Sequence, residues 1–364
     1  MHFRILETWR LTAALLVMIW HFLRYAPTGA EAASAALYRL LPLMEMFLMI
    51  SGFLIMMRYA DTLLTSRGSL MRFLVRRVAR LYPLYLATLA FFAVIGLLIH
   101  LGFGQSNWPG RYDFSLLPAN ILLIQGWGVS EHLTFNYVAW TLSAEWFCYL
   151  LFPVVVLVAR RWGIGGLVML AFITISGLEV ATTTGIIPFH SWMKADTWGA
   201  YRAFADFVIG AGIALAVTRT PPIRIGRFAP WLSMTLALVA MQAELGDYLV
   251  LMLLALSIWL AAKAEKTNPD STVFLAPLAP VGRVSFGIYL IHPVVETVMF
   301  SIIWKMALEP TDIIGFYVYW VLPMAMTVLL AVASERWFEA PLARRIGARF
   351  DAATLMRSVD RSAV

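Results

Sequence analysis

The feature that most constrains this sequence is an apolar run, long enough to cross a membrane, that carries ionisable side chains. Residues 4–24, RILETWRLTAALLVMIWHFLR, predict a first membrane-spanning helix with Arg10 near its start and His21 within its apolar run. Eleven residues of α-helix make three turns plus about 20°, so both side chains project from one face, about 16 Å apart along the axis. Ionisable groups in a span are costly and usually face a bundle interior or a watery cavity, which makes this polar stripe a candidate functional site.

Composition assigns the class of protein. With 61% hydrophobic and 13% charged residues, the sequence has too little polar surface to cover a soluble protein of 364 residues, and it predicts a membrane protein with many spans. The net charge of +7 does not indicate nucleic acid, because no basic run is interleaved with aromatic residues on a soluble domain. The single cysteine, Cys148, excludes an intramolecular disulfide and is expected to pack as a small apolar side chain.

Hydropathy predicts an all-α fold, a polytopic integral membrane helical bundle of about ten transmembrane helices. A further apolar run, residues 116–127, is short and contains Pro118 and Asn120, so we expect a re-entrant or interfacial segment there. The ten predicted spans are 8–25, 37–58, 81–103, 140–159, 164–182, 200–217, 229–244, 247–262, 284–305 and 313–335.

The basic residues orient these helices. With ten spans and both termini cytoplasmic, most of the 28 Lys and Arg residues fall in cytoplasmic loops and ends, as the positive-inside tendency requires. Treating 116–127 as an eleventh span would place Arg160, Arg161 and the basic C-terminus outside. We therefore expect one transmembrane domain over 1–343 and a cytoplasmic tail over 344–364. The sequence shows no clear pair of inverted repeats of the kind typical of many transporters.

Three arginines precede the third predicted span, in RRVARLYPLYL. Arg76 and Arg80 are four residues apart and Arg77 and Arg80 three apart, so all three can lie on one side of a helix at the cytoplasmic interface. Guanidinium groups suit phosphates, which makes the cluster a candidate phosphate site. The alternative is that it only sets the topology and contacts anionic lipid headgroups.

Carboxylates within the spans need partners. Glu145 lies four residues before Tyr149 on one helix face, which predicts part of a polar network. Glu45, in the second span, is either in a structural ion pair or functional. The small residues Ser51 and Gly52 are expected to mark a close approach of two helices rather than a nucleophile.

A second intramembrane histidine lies in GRVSFGIYLIHPVVE. His292 is about 13 Å from the cytoplasmic end of its predicted helix, a depth comparable with that of His21. Pro293 removes a backbone donor and should loosen the helix beside it. A lone histidine of this kind can be a satisfied core residue, and that alternative stays open, but two histidines at similar depth favour a shared site.

These segments, in this order and over nearly the whole chain, resemble the membrane-bound acyltransferase family 3. Each motif alone is weak, whereas the ordered set is specific. The segments that carry the resemblance are Arg10 with ten residues to His21, Glu45 before FLMISGFLI, RRVARLYPLY, WTLSAEWFCYLLFP, RAFADFVIGAG, GRVSFGIYLIHP and RWFEAPLARR.

The resemblance implies a ten-helix O-acyltransferase of the bacterial cytoplasmic (inner) membrane. Such an enzyme takes an acyl group, acetyl being favoured, from cytoplasmic acyl-coenzyme A and places it on a hydroxyl of a surface or exported glycan or a lipid-linked saccharide. It implies that Arg10 and His21 are the signature pair and that Arg77 and Arg80 serve the same site. Acyl-coenzyme A is then a co-substrate, membrane lipid a further partner, and no tightly bound cofactor, metal or nucleic acid is expected.

The chemistry of acyl transfer agrees with these assignments. Moving an acyl group from a thioester to an alcohol needs a base near neutral pH, for which a neutral histidine is well matched. We expect His21 to activate the acceptor hydroxyl or to carry the acyl group transiently, with Glu145 or His292 orienting or stabilising. Arg10 is expected to steer the donor.

Coenzyme A brings several phosphates, and the basic cluster beside the spans offers a place for them. Arg76, Arg77 and Arg80 are therefore the predicted donor-binding residues. Their position on the cytoplasmic side matches the location of the donor.

A competing hypothesis is a proton-coupled transporter or flippase of a lipid-linked or small polar substrate. It would use His21, Glu45, Asp206 and His292 as a proton relay. The lack of clear inverted repeats counts against it, and consumption of acyl-coenzyme A with release of thiol would separate the two.

Overall fold

The computed structural model describes residues 3–106, 108–221 and 225–362, without the side chains of Arg67, Pro109 and 353–362. Over these ranges the chain is 79% helical and has no strand, which confirms the all-α prediction. The α-helices in chain order are α1 (Arg4–Leu23), α2 (Glu31–Tyr38), α3 (Leu43–Tyr59), α4 (Arg67–His100), α5 (Leu117–Ile121), α6 (Trp140–Thr183), α7 (Gly199–Arg219), α8 (Ala229–Gln242), α9 (Asp247–Thr267), α10 (Ala279–Gly282), α11 (Ser285–Val295), α12 (Phe316–Tyr319), α13 (Val321–Ser334) and α14 (Ala340–Ser362).

Eight helical stretches in the described part of the chain are long and apolar enough to cross a membrane. One of them contains two predicted spans, 140–159 and 164–182, because α6 is interrupted at Gly163, whose positive φ of 63° favours glycine. The predicted span 229–244 corresponds to α8, which has only 14 residues. All ten predicted spans are thus helical, although two share one stretch and one is short.

The third predicted span starts much earlier than its hydropathy indicates. Helix α4 begins at Arg67, where the Ser66 hydroxyl accepts a hydrogen bond of 3.1 Å from the Ser69 N–H. The arginines of RRVARLY therefore lie inside this helix and not before it. Hydropathy detects the apolar core of the bilayer, whereas a capped helix can continue through the polar interface.

Residues 116–127 do not form a long helix. Helix α5 has five residues and ends before Leu123, which has a left-handed φ of 56°. The buried Asn120 fixes the segment: its side-chain amide donates to the Thr134 hydroxyl (2.8 Å), and its carbonyl accepts from the Tyr85 hydroxyl (2.6 Å). Irregular backbone buried in protein is tolerated at membrane depth, as the prediction assumed.

The chain forms two compact units, each built from two stretches of sequence. The first unit comprises residues 1–54 and 205–332. The second comprises residues 55–204 and 333–364.

In the first unit, α1 packs against α9, α10 and α11. Its N-terminus is held by Glu265 of α9, whose carboxylate oxygens accept the Ile5 N–H at 3.2 and 3.3 Å. Gly282 of α10 packs beside Glu7, where a Cβ would lie 3.6 Å from that of Glu7. A carboxylate near the first-turn N–H groups satisfies donors that have no partner within the helix.

The same unit contains a close crossing of α3 and α7 through two glycines. A Cβ at Gly52 would overlap the Phe207 carbonyl, and a Cβ at Gly210 would overlap the Met49 carbonyl. Small residues let two helix backbones approach in membranes. The prediction that Ser51 and Gly52 mark a packing point is confirmed.

In the second unit, α4 packs against α6 and α14. Arg160 of α6 donates to the carbonyls of Ala60 (2.8 Å) and Asp61 (3.1 Å), just after α3. The predicted tail 344–364 begins within α14, which runs through residue 344 without a break. The last two residues of the tail lie outside the described ranges.

Many large apolar side chains on the long helices are exposed, such as Val168, Phe172 and Leu329. A soluble protein rarely exposes extended apolar surface of this kind, whereas a helix in a bilayer needs it on its lipid side. Cys148 is fully buried, as predicted.

Candidate active site

The first unit brings the two intramembrane histidines together. His21 lies in the last turn of α1 and His292 in α11, and their ring centroids are 5.1 Å apart with an angle of 35° between the rings. Both are buried, with 6% of His21 and none of His292 exposed. Two histidines from distant parts of the sequence therefore lie side by side in the fold.

Aromatic rings surround this histidine pair. Trp20 packs edge-on against His21 with centroids 4.6 Å apart, and Tyr289 packs against His292 at 5.7 Å. Phe22 lies 6.4 Å from His292. Both imidazoles are therefore buried among aromatic rings, where the polar groups present strongly influence proton transfer and charge development.

His292 has two buried ring nitrogens for which the described residues offer no well-formed hydrogen bond. Among the described residues, neither Nδ1 nor Nε2 has a hydrogen-bond partner. Buried polar atoms are nearly always satisfied in folded proteins, so an exception of this kind points to a role in binding or chemistry. This favours the functional reading of His292 over that of a satisfied core residue.

The backbone next to His292 is also irregular. Pro293 lacks the N–H that would bond back along α11, and from Glu296 to Leu308 the chain winds as a π-helix. π-Helical turns are rare in proteins, and those that occur are often found at functional sites. The structure thus confirms that Pro293 marks a loosened part of the helix.

Arg10 lies on α1, eleven residues before His21. Its guanidinium stacks over the Phe47 ring of α3, 4.2 Å from the ring centroid. The eleven-residue spacing places Arg10 about three turns, roughly 16 Å, along the helix from His21. The cation–π contact holds its guanidinium against α3. Arg10 therefore occupies a different level of the first unit from the histidine pair.

The second unit contains the arginine cluster, in which Arg77 differs from its neighbours. Its Nη2 donates to the Tyr59 hydroxyl (2.9 Å), and its guanidinium lies 5.2 to 5.6 Å from the rings of Tyr59, Phe73 and Tyr149. Arg76 and Arg80 are exposed. The cluster thus has one anchored guanidinium and two that reach the surface.

Glu145 belongs to the same network. The Tyr149 hydroxyl donates to the Glu145 Oε1, which confirms that the two side chains share a face of α6. Within the second unit, Glu145, Tyr149 and Arg77 form a connected polar group with both signs of charge. Glu145 therefore lies with the predicted donor-binding residues, whereas His21, His292 and Arg10 lie in the first unit.

Arg202, at the start of α7, stacks over the Trp140 ring at 4.5 Å. Asp196, in the loop before α7, accepts the Thr197 N–H at 2.7 Å. Burial raises the pKa of the Asp196 carboxyl above its ordinary value, and that hydrogen bond together with the Arg202 charge opposes the shift. This group fixes the entry to α7 in the second unit.

Tyr59 and Trp20 are functional-site candidates that were not predicted from the sequence. Tyr59 is 18 residues from Arg77 at the end of another helix, so no local spacing connects them. Trp20 adjoins His21 in sequence, but a tryptophan near the end of a span is ordinarily an interface residue. Only the folded chain shows that these rings contact the candidate residues.

Comparisons with known proteins identify the family of this chain. The chain matches a family described as an acyltransferase domain over residues 3–336. The acyltransferase MdmB of Streptomyces mycarofaciens is 26% identical over 303 residues, which cover 77% of this chain and 75% of that protein. No solved structure matches the chain. Because the family match extends over nearly the whole chain, the protein belongs to the membrane-bound acyltransferase family 3 and is a multi-pass membrane acyltransferase.

Proposed function

We propose that the protein transfers an acyl group, preferably acetyl, from cytoplasmic acyl-coenzyme A to a hydroxyl of a surface or exported glycan or a lipid-linked saccharide. The location proposed is the cytoplasmic (inner) membrane of a bacterium. The observation that carries the proposal is the buried pair of His21 and His292, with ring centroids 5.1 Å apart and the His292 nitrogens not engaged by the described residues. Such a pair supplies a base and a second imidazole for an alcohol substrate.

In the direct form of the reaction, the His21 imidazole takes the proton of the acceptor hydroxyl while the oxygen attacks the thioester carbonyl carbon. The tetrahedral intermediate collapses, the carbon–sulfur bond breaks, and the thiolate recovers the proton from the imidazolium. His292 orients the hydroxyl or stabilises the charge on His21. In the covalent form, a His21 ring nitrogen attacks the thioester carbonyl carbon and expels the thiolate. The hydroxyl oxygen then attacks the acyl-imidazole, the carbon–nitrogen bond breaks to return the imidazole, and the hydroxyl proton goes to the thiolate.

The donor role falls to the second unit. Arg76 and Arg80 are exposed and suited to phosphate oxygens, while Tyr59 and the Tyr149–Glu145 pair orient Arg77. Arg10 is proposed to steer the donor. Metal is not needed in this scheme, since acid–base chemistry at histidine suffices for thioester alcoholysis.

The family assignment favours this enzyme over the transporter or flippase hypothesis, because the matching family and the matching relative are both described as acyltransferases. The test uses detergent-purified protein with acetyl-coenzyme A and a glycan and lipid extract. The expected result is release of coenzyme A thiol, with one acetyl mass added to a saccharide by mass spectrometry. Thiol release without any acylated product, or no release with any short acyl donor, would contradict the proposal.

The proposed topology has both termini in the cytoplasm. Cys148 is fully buried, so a membrane-impermeant maleimide should label the native protein poorly from either side. A Gly68→Cys variant, with the new thiol at the exposed start of α4, should label only after the inner face is opened. Labelling of that variant in intact cells would overturn the orientation.

A further inference from the structure

A cleft of about 650 Å³ opens in the first unit at the end of α1 that carries His21. It lies between the end of α1, the short helix α2 and the loop after α8. Its volume is within the roughly 300–1,000 Å³ typical of small-molecule sites. Its lining includes the small residues Ala26, Ala30 and Ala35.

One wall of the cleft is aromatic and reaches the histidine pair. Trp20 lines the cleft and also contacts the His21 ring, with centroids 4.6 Å apart. Tyr38 of α2 lies against Trp20 at 5.7 Å and a 45° tilt, and about half of its surface is exposed. A ligand against these rings would be one aromatic ring away from His21.

The lining also carries charged side chains of both signs. Arg39 donates from Nε to Glu244 at 2.9 Å, and Glu31 accepts the Gly29 N–H at 2.8 Å. Arg24 completes the polar lining. Two guanidiniums supply donors and two carboxylates supply acceptors, an arrangement suited to a neutral ligand rich in hydroxyls and less suited to an anion.

Glu244 is held in a backbone conformation that is unfavourable for its residue type. Its φ is 52°, and its N–H bonds to the Met241 carbonyl while the Leu245 N–H bonds to that of Ala240. This is the pattern of a Schellman helix end, where the left-handed position is usually glycine. A glutamate at this position carries backbone strain that a glycine would not, and it places a carboxylate beside Arg39 in the cleft.

We propose that this cleft binds the saccharide part of the acceptor. The faces of Trp20 and Tyr38 cover the apolar face of a sugar ring, while Arg39, Glu244 and Glu31 hydrogen-bond to its hydroxyls. The inference rests on the proposed function and specifies where its acceptor binds. It concerns only the first unit.

The test measures protection of a single cysteine and needs no catalysis. In a Cys148→Ala background, Ser34→Cys places a thiol in the cleft, whereas Ala32→Cys places one two residues away, about 200° around α2. Maleimide labelling is measured with neutral methyl hexopyranosides, with glycerol as the polyol that has no ring, and with glycerophosphoethanolamine as a lipid headgroup.

We expect a hexopyranoside at about twice its Kd to slow labelling of Ser34→Cys roughly threefold, in proportion to the unoccupied fraction, and to leave Ala32→Cys unchanged. Glycerol and the headgroup should have little effect. Equal slowing at both positions, no slowing by any hexopyranoside, or stronger slowing by the headgroup would overturn the saccharide assignment.

A substitution at Glu244 tests saccharide binding without loss of stability. Glu244→Gly removes the carboxylate but suits the left-handed backbone, so we expect the melting temperature to be unchanged or higher while hexopyranoside protection of Ser34→Cys is lost. Retained protection in this variant would contradict the role given to Glu244. Trp20→Ala should likewise raise KM for a saccharide acceptor at least tenfold, and Trp20→Phe should keep most of the affinity.

These readouts distinguish two failures. If acyl-coenzyme A is consumed but no saccharide protects the cleft, the cleft assignment is wrong and the proposed function stands. If a saccharide protects the cleft but no acyl donor is consumed, the binding site stands and the proposed reaction is wrong.

Discussion

The histidine pair of the first unit and the arginine network of the second differ in how their polar atoms are satisfied. His292 is fully buried, it packs against aromatic rings, and the described residues offer neither ring nitrogen a well-formed hydrogen bond. Arg77 instead donates to Tyr59 and is surrounded by three aromatic rings. One site keeps reactive atoms available, and the other keeps a charge in a fixed place.

This difference predicts different consequences of substitution. Removing His292 takes away ring nitrogens that have no hydrogen-bond partner among the described residues, so the loss should appear in the rate of reaction. Removing Arg77 leaves the Tyr59 hydroxyl without that donor and leaves the aromatic rings unsupported, so the loss should appear in stability as well as in donor binding.

The largest effect is expected from the histidines. His21→Gln keeps hydrogen-bonding capacity but cannot accept a proton near neutral pH, so kcat should fall about 10²–10⁴-fold. If the two imidazoles act as one unit, His292→Gln should also lower kcat substantially. The kcat of the double variant should then be only slightly lower than that of the slower single variant. Single-turnover acetyl transfer measures all three.

Donor affinity and the melting temperature serve as controls, because neither should change much in the two single variants or the double variant. Near-normal turnover in His21→Gln with loss in His292→Gln would reverse the two roles. Near-normal turnover in both would exclude acid–base catalysis by this pair.

The next effect is expected from the arginines. Arg77→Ala should weaken binding of acyl-coenzyme A by about 1–3 kcal/mol, the range for charge-assisted hydrogen bonds, and should also lower the melting temperature. Arg80→Ala, at an exposed position, should weaken donor binding without changing stability. Titration calorimetry and thermal unfolding in detergent separate the two quantities.

Arg72→Ala is the matched control. Arg72 lies on the same helix with the same charge but is paired with Asp351 at 3.0 Å on the surface. Its loss should alter donor affinity little, because an exposed ion pair contributes only about 0–1 kcal/mol and Arg72 is outside the proposed phosphate cluster. Equal weakening by Arg72→Ala and Arg80→Ala would leave only a general attraction of positive charge for phosphate.

A comparable change in stability alone is expected at the glycine crossing of the first unit. Gly210→Ala would force a Cβ into the Met49 carbonyl, and overpacking of this kind typically costs about 1–3 kcal/mol. Gly177→Ala in α6 of the second unit meets open space and should be neutral or stabilising by up to about 1 kcal/mol. Equal melting temperatures for the two variants would contradict the close crossing.

The smallest effect is expected from Tyr149→Phe. It removes the hydroxyl that donates to Glu145 but keeps the ring beside Arg77, so the free energy of unfolding should fall by about 0.5–1.5 kcal/mol. Donor affinity should change less than in Arg77→Ala. A loss as large as that of Arg77→Ala would mean that Tyr149 itself contacts the donor.

Local regularities account for the predictions that the structure confirms. The spacing of Glu145 and Tyr149 is one helical turn, and their hydrogen bond follows from it. The packing role of Gly52 was predictable because Ser51 and Gly52 are adjacent small residues, and small residues let membrane helices approach closely. The start of α4 at Arg67 was not predictable in this way, because a capped helix continues beyond the apolar stretch that hydropathy detects.

By itself the sequence determined the all-α membrane class, the helical segments and the candidate residues, because each depends on hydropathy and on spacing along one helix. Only the tertiary structure decided which of those residues meet. The contacts of His21 with His292, of Arg77 with Tyr59, and of Trp20 with Tyr38 each join different helices, and the distance between helices is set by packing rather than by period. Glu244 shows the same division: its identity is read from the chain, but its strained φ and its place beside Arg39 exist only in the fold.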